Sequence, residues 1–451
     1  MGEVQERKYD LTQGGILNKL LLISLPIMGT QFIQMSYNLV DMFLLGRVGS
    51  DAVAAAGTAG MYLWLSNGFL MIGRMGAEIG VAQNMGKGDI PAARKFSRNS
   101  LFLSVILGVL FAILCLCFAN PLIGFFRIQE AHVASEAIHY LRITSLAVPF
   151  VFVSGAIAGT FNGSGNSRVP FLINSTGLFL NILLDPLFIF GFGMGVSGAA
   201  TATVIAQTFV CILSIWALLR KKDRPFASFH FFRKPEKKRI SQILKWSIPV
   251  GVENILFAFF TMFISRLVAQ YGAGAIAVYR VGSQIESLTW LICVGFSTAV
   301  TAFVGQNYGA GNWQRIRGGT RISFSMITLW GVFVTLVLLF FGAILFRLFL
   351  PEEGLVEIGK NYLQILAVCQ VLACWEAVAA GSFRGLGKTV PPFIVSTVTN
   401  GLRIPLAYLL SASLGLNGIW WAITIGAGCR GLWIFMWYLA KLRRANADEA
   451  R

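Results

Sequence analysis

Long apolar stretches recur along the chain, separated by short polar connections. A helix that crosses the hydrocarbon core of a bilayer needs about 20 mainly apolar residues, and these stretches reach or approach that length. Backbone groups in lipid must be satisfied within a helix or a closed barrel, and runs this long fit helices. The pattern therefore predicts an all-α integral membrane protein with about twelve transmembrane helices. The predicted spans are residues 17–46, 52–80, 99–119, 138–161, 170–191, 196–219, 243–270, 275–305, 322–349, 358–383, 390–412 and 416–440.

The predicted spans form two copies of one six-helix unit. The block VAQNMGKGD (Val81–Asp89) matches VGQNYGAGN (Val304–Asn312) at an offset of 223 positions, 304 minus 81. Each block is predicted to end a helix and open a loop, where its glycines permit left-handed turns. Further pairs at this offset, or at one position less, are SLP with SIP, GSDAVA with GAGAIA, and FNGSGN with FRGLGK. A duplicated unit of this size is typical of two-lobed transporters with a central site.

The repeat divides the chain into an N-lobe at residues 1–220 and a C-lobe at residues 240–451, joined by a polar linker at residues 221–239. Six helices per copy is an even number, so both copies should have the same orientation in the membrane. Phenylalanines among the basic residues of the linker fit a segment that lies at anionic headgroups, and they fit a solvated linker equally well.

Basic residues are distributed unevenly over the predicted connections. The chain carries 37 Lys and Arg against 20 Asp and Glu, a net charge of +17, although only 13% of its residues are charged. With a cytoplasmic N-terminus, 26 of the 37 basic residues fall in cytoplasmic segments and two in outer loops. This positive-inside pattern predicts a multi-pass protein of the inner (plasma) membrane with both termini in the cytoplasm. Nucleic-acid binding is not expected, because no soluble segment is long enough to form a basic face.

The sequence gives no support for cofactor chemistry. All seven cysteines lie in apolar stretches, the three histidines have no metal-ligand spacing, and there is no Walker A motif. We therefore expect no cofactor, no ATP hydrolysis, and no bound metal other than Na⁺ at a coupling site.

Acidic residues inside the predicted spans are candidates for function, because a charge at mid-bilayer costs at least about 2.5 kcal/mol. These acids are Asp41, Asp185, Glu253, Glu286 and Glu376. Asn181 and Asp185 are four residues apart and share a helix face, and Pro186 disrupts the helix beside them. Carboxylate, amide and freed carbonyl oxygens suit Na⁺, and they equally suit a carboxyl that binds and releases a proton. A structural role remains the alternative for each acid.

The acids are not duplicated, although the backbone pattern is. At an offset of 223, Asp41 corresponds to Ile264, and Glu253 corresponds to Thr30. A purely structural acid should more often survive in both copies. We therefore interpret the asymmetry as a separate role for each lobe.

The chain resembles the MATE (multidrug and toxic compound extrusion) family over nearly its whole length. The resemblance rests on the first span from Pro26 to Asp41, on LNILLDPLFIF (Leu180–Phe190) and on GVSGAATAT (Gly195–Thr203). The paired VAQNMGKGD and VGQNYGAGN blocks, FRGLGK and the layout of two six-helix lobes complete it. The resemblance implies a secondary antiporter that works by alternating access. Inward flow of H⁺ or Na⁺ would drive export of organic cations and other amphipathic compounds through a V-shaped central cavity.

The resemblance also implies a set of site residues. The N-lobe cation site of the family maps onto Asp41, Asn181, Asp185, Thr203 and Tyr140. In the C-lobe, Glu253 maps onto the acid of the seventh span, although closer to the proline of that span than in some branches of the family. Glu376 lies in the tenth span, where some branches carry an acid, and Glu286 is a further candidate for cation or substrate binding.

Two other functions remain open from the sequence. Flippases for lipid-linked precursors share the two-lobed plan, but they typically have extra C-terminal spans and a cationic cavity. A membrane-embedded enzyme would need a catalytic dyad or metal motif within the spans, and the sequence shows none. We expect small organic cations and membrane lipid as partners, and a protein that works as a monomer.

Overall fold

The computed structural model describes residues 9–128, 130–220, 234–349 and 352–449. In these ranges the chain forms fourteen α-helices, one π-helical turn at Leu187–Gly191, and no β-strand. The helices are α1 (Ile16–Val48), α2 (Ser50–Gly86), α3 (Ile90–Gly124), α4 (Ala131–Ser145), α5 (Val148–Gly163), α6 (Arg168–Pro186), α7 (Gly195–Leu219), α8 (Lys237–Ala269), α9 (Ala273–Gly309), α10 (Trp313–Arg347), α11 (Glu353–Ala367), α12 (Gln370–Gly385), α13 (Val390–Leu414) and α14 (Leu416–Glu449). The all-α prediction is confirmed.

The described helices account for the predicted spans. Nine are long and apolar enough to cross a membrane, and two bent helix pairs, α4 with α5 and α11 with α12, raise this number to as many as eleven. Helix α2 has 37 residues and is therefore also long enough, although its sequence is less apolar. Counted with α2, these elements coincide with the twelve stretches in the sequence.

Two predicted spans are bent rather than continuous. The span predicted at 138–161 consists of α4 and α5 at 44°, and the span predicted at 358–383 consists of α11 and α12 at 51°. At the first break, the amides of Leu146 and Ala147 bond back only three residues, and Pro149 follows in the first turn of α5. Proline lacks the amide that would continue the ladder. The second break, at Val368 and Cys369, has the same short bonds without a proline.

Among the described residues, the chain divides into two compact units. The first contains Leu25–Gly251, and the second contains Leu11–Ser24 with Val252–Arg451. Helices α1 and α8 therefore each contribute residues to both units. The lobe boundaries predicted at residues 220 and 240 remain a prediction about the repeat, and residues 221–233 of the predicted linker lie outside the described residues.

Each unit packs one helix pair through two glycines, and the two pairs occupy matching positions. In the first unit, a Cβ on Gly159 would lie 2.4 Å from the carbonyl oxygen of Arg74, and one on Gly163 would lie 2.5 Å from that of Glu78. In the second unit, a Cβ on Gly381 would lie 2.5 Å from the carbonyl oxygen of Ser297 in α9, and one on Gly385 would lie 2.7 Å from that of Thr301. Small residues four apart let membrane helices pack backbone to backbone. The duplicated sequence thus produces duplicated packing.

The repeated glutamine–asparagine blocks form the same turn in both units. Helices α2 and α9 end there, Gly88 and Gly311 adopt φ values of 74° and 70°, and the next helix begins with a capping side chain. Asp89 accepts a hydrogen bond from the amide of Ala92 at 2.9 Å, and Asn312 accepts one from the amide of Arg315 at 3.0 Å. The predicted helix end is confirmed, and two of the four glycines in the blocks are left-handed, because Gly86 and Gly309 are the last residues of α2 and α9.

Candidate functional site

The candidate site of the first unit is built around Asn181 and Asp185, one turn apart on α6. Both residues are fully buried, with 0% exposure, and the Asn181 Nδ2 donates a hydrogen bond to the Asp185 Oδ1 at 3.0 Å. The Asp185 Oδ2 and the Asn181 Oδ1 are also buried and have no hydrogen-bond partner. The bond thus fixes the orientation of the carboxyl group and leaves one oxygen of each side chain available.

Helix α6 ends at Pro186, one residue after Asp185, where the sequence predicted a disruption within the span 170–191. Pro186 closes the helix, and a π-helical turn follows, with the amide of Phe192 bonded to the carbonyl of Leu187 at 2.9 Å. Helix α7 packs tightly on this turn, because a Cβ on Gly198 would lie only 2.7 Å from the Phe188 carbonyl oxygen. The glycine therefore permits an approach that carries Thr203, further along α7, to the site.

Asp41 of α1 faces Asp185 across the site. The two carboxyl groups are close enough for a hydrogen bond if one of them carries a proton, and Tyr37 and Tyr140 interact electrostatically with both. Tyr37 lies one turn before Asp41 on the same helix face and approaches Thr203. Helices α1, α4, α6 and α7 of the first unit therefore all contribute a side chain.

Five oxygens at this site are buried without a hydrogen-bond partner. They are the Tyr37 hydroxyl, Asp41 Oδ1, Asn181 Oδ1, Asp185 Oδ2 and Thr203 Oγ1. No salt bridge in the described part of the chain joins either aspartate to a basic side chain. An ionised carboxylate can only accept hydrogen bonds, so two carboxylates that face each other cannot satisfy one another. A proton or a cation between them would satisfy both.

The acids of the second unit have basic partners. The Arg430 Nε donates to the Glu376 Oε2 at 2.6 Å, and these side chains are only 7% and 14% exposed. The Arg430 Nη1 also donates to the Asn400 Oδ1 at 3.2 Å. The Arg384 Nη2 lies 3.6 Å from the Glu253 Oε2, which makes an ion pair without a hydrogen bond. The negative charges of Glu253 and Glu376 are thus each compensated by an arginine.

Glu286 belongs to the same network. The Trp290 Nε1 donates to the Glu286 Oε1 at 3.2 Å, and the positive charges of Arg403 and Arg430 both act on this carboxyl. The Arg430 guanidinium also lies over the Trp290 ring, 5.8 Å from its centroid. Three acids and three arginines therefore form a balanced set in the second unit.

Comparison with known proteins identifies the class of the molecule. A family model described as MatE matches residues 26–187 and 249–409, two segments that begin 223 positions apart, as the sequence repeat does. The chain belongs to the MATE family of membrane transporters. MATE proteins are transporters and not enzymes, so the membrane-embedded enzyme considered from the sequence is ruled out.

Relatives of this MATE chain match it over almost its whole length. It is 28% identical over 412 residues to the probable multidrug resistance protein NorM of Thermotoga maritima, covering 90% of this chain and 88% of the relative. It is 22% identical over 421 residues to the multidrug export protein MepA of Staphylococcus aureus, with 93% of each chain covered.

Solved MATE structures share the fold. A multidrug resistance MATE transporter of the MOP superfamily in its outward-facing conformation superposes with a TM-score of 0.90 at 23% identity, covering 97% of this chain and 98% of that one. A MOP superfamily transporter from Pyrococcus furiosus, described as having a binding pocket of reverse polarity, has the same TM-score and identity, covering 96% and 98%. At this identity the likeness concerns the fold alone.

The MATE structure brings together all five residues expected in the N-lobe: Asp41, Tyr140, Asn181, Asp185 and Thr203. Their role in ion coupling remains a prediction. Sequence reasoning missed Tyr37, although its spacing of four residues from Asp41 was a usable signal. It also did not connect Glu253 with Arg384, because these residues lie on helices that are far apart in sequence.

Proposed function

We propose that this MATE transporter is a secondary antiporter that exports amphipathic organic cations in exchange for H⁺ or Na⁺. The coupling site is the Asp41–Asp185 pair of the first unit. The observation that carries the proposal is that the two carboxyl groups face each other, each with a buried oxygen that has no hydrogen-bond partner, and that no described basic residue pairs with either. The names of the relatives, which describe multidrug resistance and export, support the efflux of small molecules.

The charge balance of the pair makes it suited to binding a cation. Two ionised carboxylates removed from water repel each other, and each loses its hydration. Binding one positive charge removes most of that cost, and releasing the charge restores it. An ion bound here therefore changes the stability of the conformation that holds the pair together, which antiport requires.

Either a proton or Na⁺ can play this part. A proton shared by Asp41 and Asp185 turns one carboxyl group into the donor that the other lacks. For Na⁺, the oxygens of Asn181 and Thr203 would add neutral ligands to the carboxylates, as hard cations prefer. Both ions use the same unpartnered oxygens, so the two mechanisms predict the same essential residues and differ only in the driving gradient.

The experiment that tests the proposal is transport by the purified protein in liposomes. A fluorescent lipophilic monocation is followed while a pH gradient and a Na⁺ gradient are applied separately. Wild-type protein should accumulate the dye under one of the two gradients. Asp41→Asn keeps the size of the side chain and fixes it as neutral, so gradient-driven transport should fall by at least about tenfold, within the usual range of coupling free energies.

Asp51→Asn is the matched control. Asp51 lies at the start of α2, where it is exposed and pairs with His132 at 2.7 Å. This variant removes the same charge from the same unit and should transport at close to the wild-type rate. Dye export by Asp41→Asn at the wild-type rate would refute the assignment of the coupling site, whereas failure of both gradients with wild-type protein would refute antiport.

We further propose that the protein lies in the plasma membrane with both chain termini in the cytoplasm. The distribution of basic residues supports this orientation. A single cysteine introduced in the segment 221–233 of an otherwise cysteine-free protein should resist a membrane-impermeant thiol reagent in intact cells and react after permeabilisation. Labelling in intact cells would reverse the orientation.

A further inference from the structure

The second unit carries a groove that the transport mechanism does not use. It runs between α10 and α14 and encloses about 760 Å³, a volume typical of small-molecule sites. None of Glu253, Glu286 and Glu376 lines it. Its lining changes from basic at one end to apolar at the other.

The polar end of the groove is formed by three arginines. Arg317 and Arg321 lie in the first turns of α10, one turn apart, and Arg443 lies near the end of α14. The side chains of Arg321 and Arg443 are exposed, and no acidic residue is among the described residues that line the groove. Arg321 and Arg443 therefore present positive charge that no acidic residue of the described lining neutralises.

The floor of the groove is aromatic and rigid. Phe324 and Phe435 line it, with ring centroids 4.9 Å apart in an edge-to-face arrangement. Trp375 supports both rings from α12, with its centroid 4.5 Å from that of Phe435, and its Nε1 donates to the Thr328 hydroxyl at 2.7 Å. The polar groups of the floor are thus occupied, which leaves an apolar surface for a ligand.

The groove continues along α10 towards the membrane interior. Its lining residues recur on one helix face from Arg317 to Val332, a rise of about 22 Å at 1.5 Å per residue. Half of a bilayer's hydrocarbon core is about 15 Å thick, so the groove spans one leaflet and its headgroup region. Leu329, which is 74% exposed, and Val332 leave its side open towards lipid.

We infer that this groove is a binding site for an anionic phospholipid, with the phosphate held by Arg321 and Arg443 and one acyl chain on the Phe324–Phe435 floor. Charge decides between the amphipathic ligands that fit an apolar groove. Guanidinium groups bind phosphate and repel the organic cations proposed as transport substrates. The open side allows the second acyl chain to remain in the bilayer. Arg321 and Arg443 lie just outside the predicted spans 322–349 and 416–440, where headgroups are expected, and a free soluble anion would require neither feature.

The test is native mass spectrometry of the full-length protein released from detergent. The protein is incubated with equal amounts of phosphatidylglycerol and phosphatidylcholine that carry identical acyl chains, and the retained lipids are counted. Wild-type protein should retain phosphatidylglycerol preferentially. Arg443→Gln should lower its occupancy about fivefold, which corresponds to about 1 kcal/mol per basic residue near an anionic lipid.

Arg444→Gln is the matched control, because Arg444 is the exposed neighbour on the same helix end and does not line the groove. It should change phosphatidylglycerol retention by less than about twofold. Ser325→Trp fills the groove without removing charge and should lower retention of the preferred lipid as strongly as Arg443→Gln. Melting temperatures of all variants should match that of wild type, because Ser325 and both arginines are exposed.

Three results would overturn the inference. Equal losses in Arg443→Gln and Arg444→Gln would mean that the lipid responds only to general surface charge. Equal retention of the two lipids by wild-type protein would remove the role of the arginines. Full retention by Ser325→Trp would place the lipid elsewhere.

Discussion

The acids of the two units sit in opposite electrostatic surroundings. In the first unit, Asp41 and Asp185 face each other with only neutral groups beside them. In the second unit, the Arg430 Nε lies 2.6 Å from the Glu376 Oε2. Arg384 pairs with Glu253, and the positive charges of Arg403 and Arg430 act on Glu286. A carboxylate that is already paired with an arginine gains little electrostatic stabilisation from binding a mobile cation. The comparison therefore supports the proposal that ions are exchanged in the first unit, and it shows that the acids of the second unit are paired with arginines.

The sequence repeat shows how the difference arises on one backbone. At an offset of 222, α6 aligns with α13, Pro170 falls on Pro392, and Asn181 falls on Arg403. Asp185 falls on Ala407. The second unit thus carries a positive charge where the first carries an amide, and a methyl group where the first carries a carboxyl. The glycine contacts are kept, so packing is shared while the chemistry is not.

The largest effect should come from breaking the pairing in the second unit. Arg430→Gln leaves Glu376 buried without its partner, which should lower the free energy of unfolding by about 3–5 kcal/mol. Adding Glu376→Gln removes the orphaned charge and should recover more than half of the loss. Melting temperatures in detergent provide the measurement. In the first unit, Asp41→Asn should leave the melting temperature unchanged or raise it, and a fall as large as that of Arg430→Gln would contradict the contrast.

Neutralising one acid in each unit should separate their roles in transport. Asp185→Asn removes a carboxyl group of the unpaired site and should reduce gradient-driven dye export about tenfold or more. Glu286→Gln keeps an acceptor for the Trp290 Nε1 and should cost less than about fivefold, since a hydrogen bond of this kind contributes about 1 kcal/mol. The measurement is the initial rate of dye export by each variant, compared with that of wild-type protein in matched liposomes. Similar losses in both variants would show that coupling is shared between the units.

The smallest expected effect tests the geometry of the candidate site in the first unit. Asn181→Ala removes the 3.0 Å hydrogen bond that orients Asp185, and it should lower export about fivefold, as the loss of about 1 kcal/mol implies. Asn174→Ala is its control, because Asn174 lies on the same helix and donates only to the carbonyl of Pro170. Equal losses in the two variants would mean that helix stability, and not the orientation of Asp185, determines the rate.

The sequence was sufficient for the parts of the fold that depend on local pattern. Apolar length predicted the spans, Pro186 predicted a disruption of the helix beside Asp185, and Gly88 and Gly311 predicted the turns after α2 and α9. The bend at Leu146 was not predicted, although Pro149 lies in the middle of the predicted span 138–161, where a proline can kink a helix. The division of α1 and α8 between the two units was not predicted either, because continuous apolar helices give no local sign of which unit they pack against.

The candidate site was predictable where its residues share a helix and not where they meet across helices. The spacing of Asn181 and Asp185 gave their contact directly, and the resemblance placed Asp41 beside them. The pairing of Arg430 with Glu376 and Asn400 joins residues 54 and 30 positions apart, which no helical period relates. The presence of a charge within a span therefore made the acids of both units candidates for ion coupling. Only their neighbouring residues in the structure distinguish them.

The most direct test of the account is the ion dependence of substrate binding. The affinity of purified protein for a fluorescent monocation is measured at equilibrium while pH and Na⁺ are varied separately, for wild type, Asp41→Asn and Glu376→Gln. Because linkage is reciprocal, the coupling ion should weaken dye binding by wild-type protein. The account predicts that Asp41→Asn abolishes this dependence and that Glu376→Gln retains it. Dependence that survives in Asp41→Asn, or that disappears in Glu376→Gln, would contradict it.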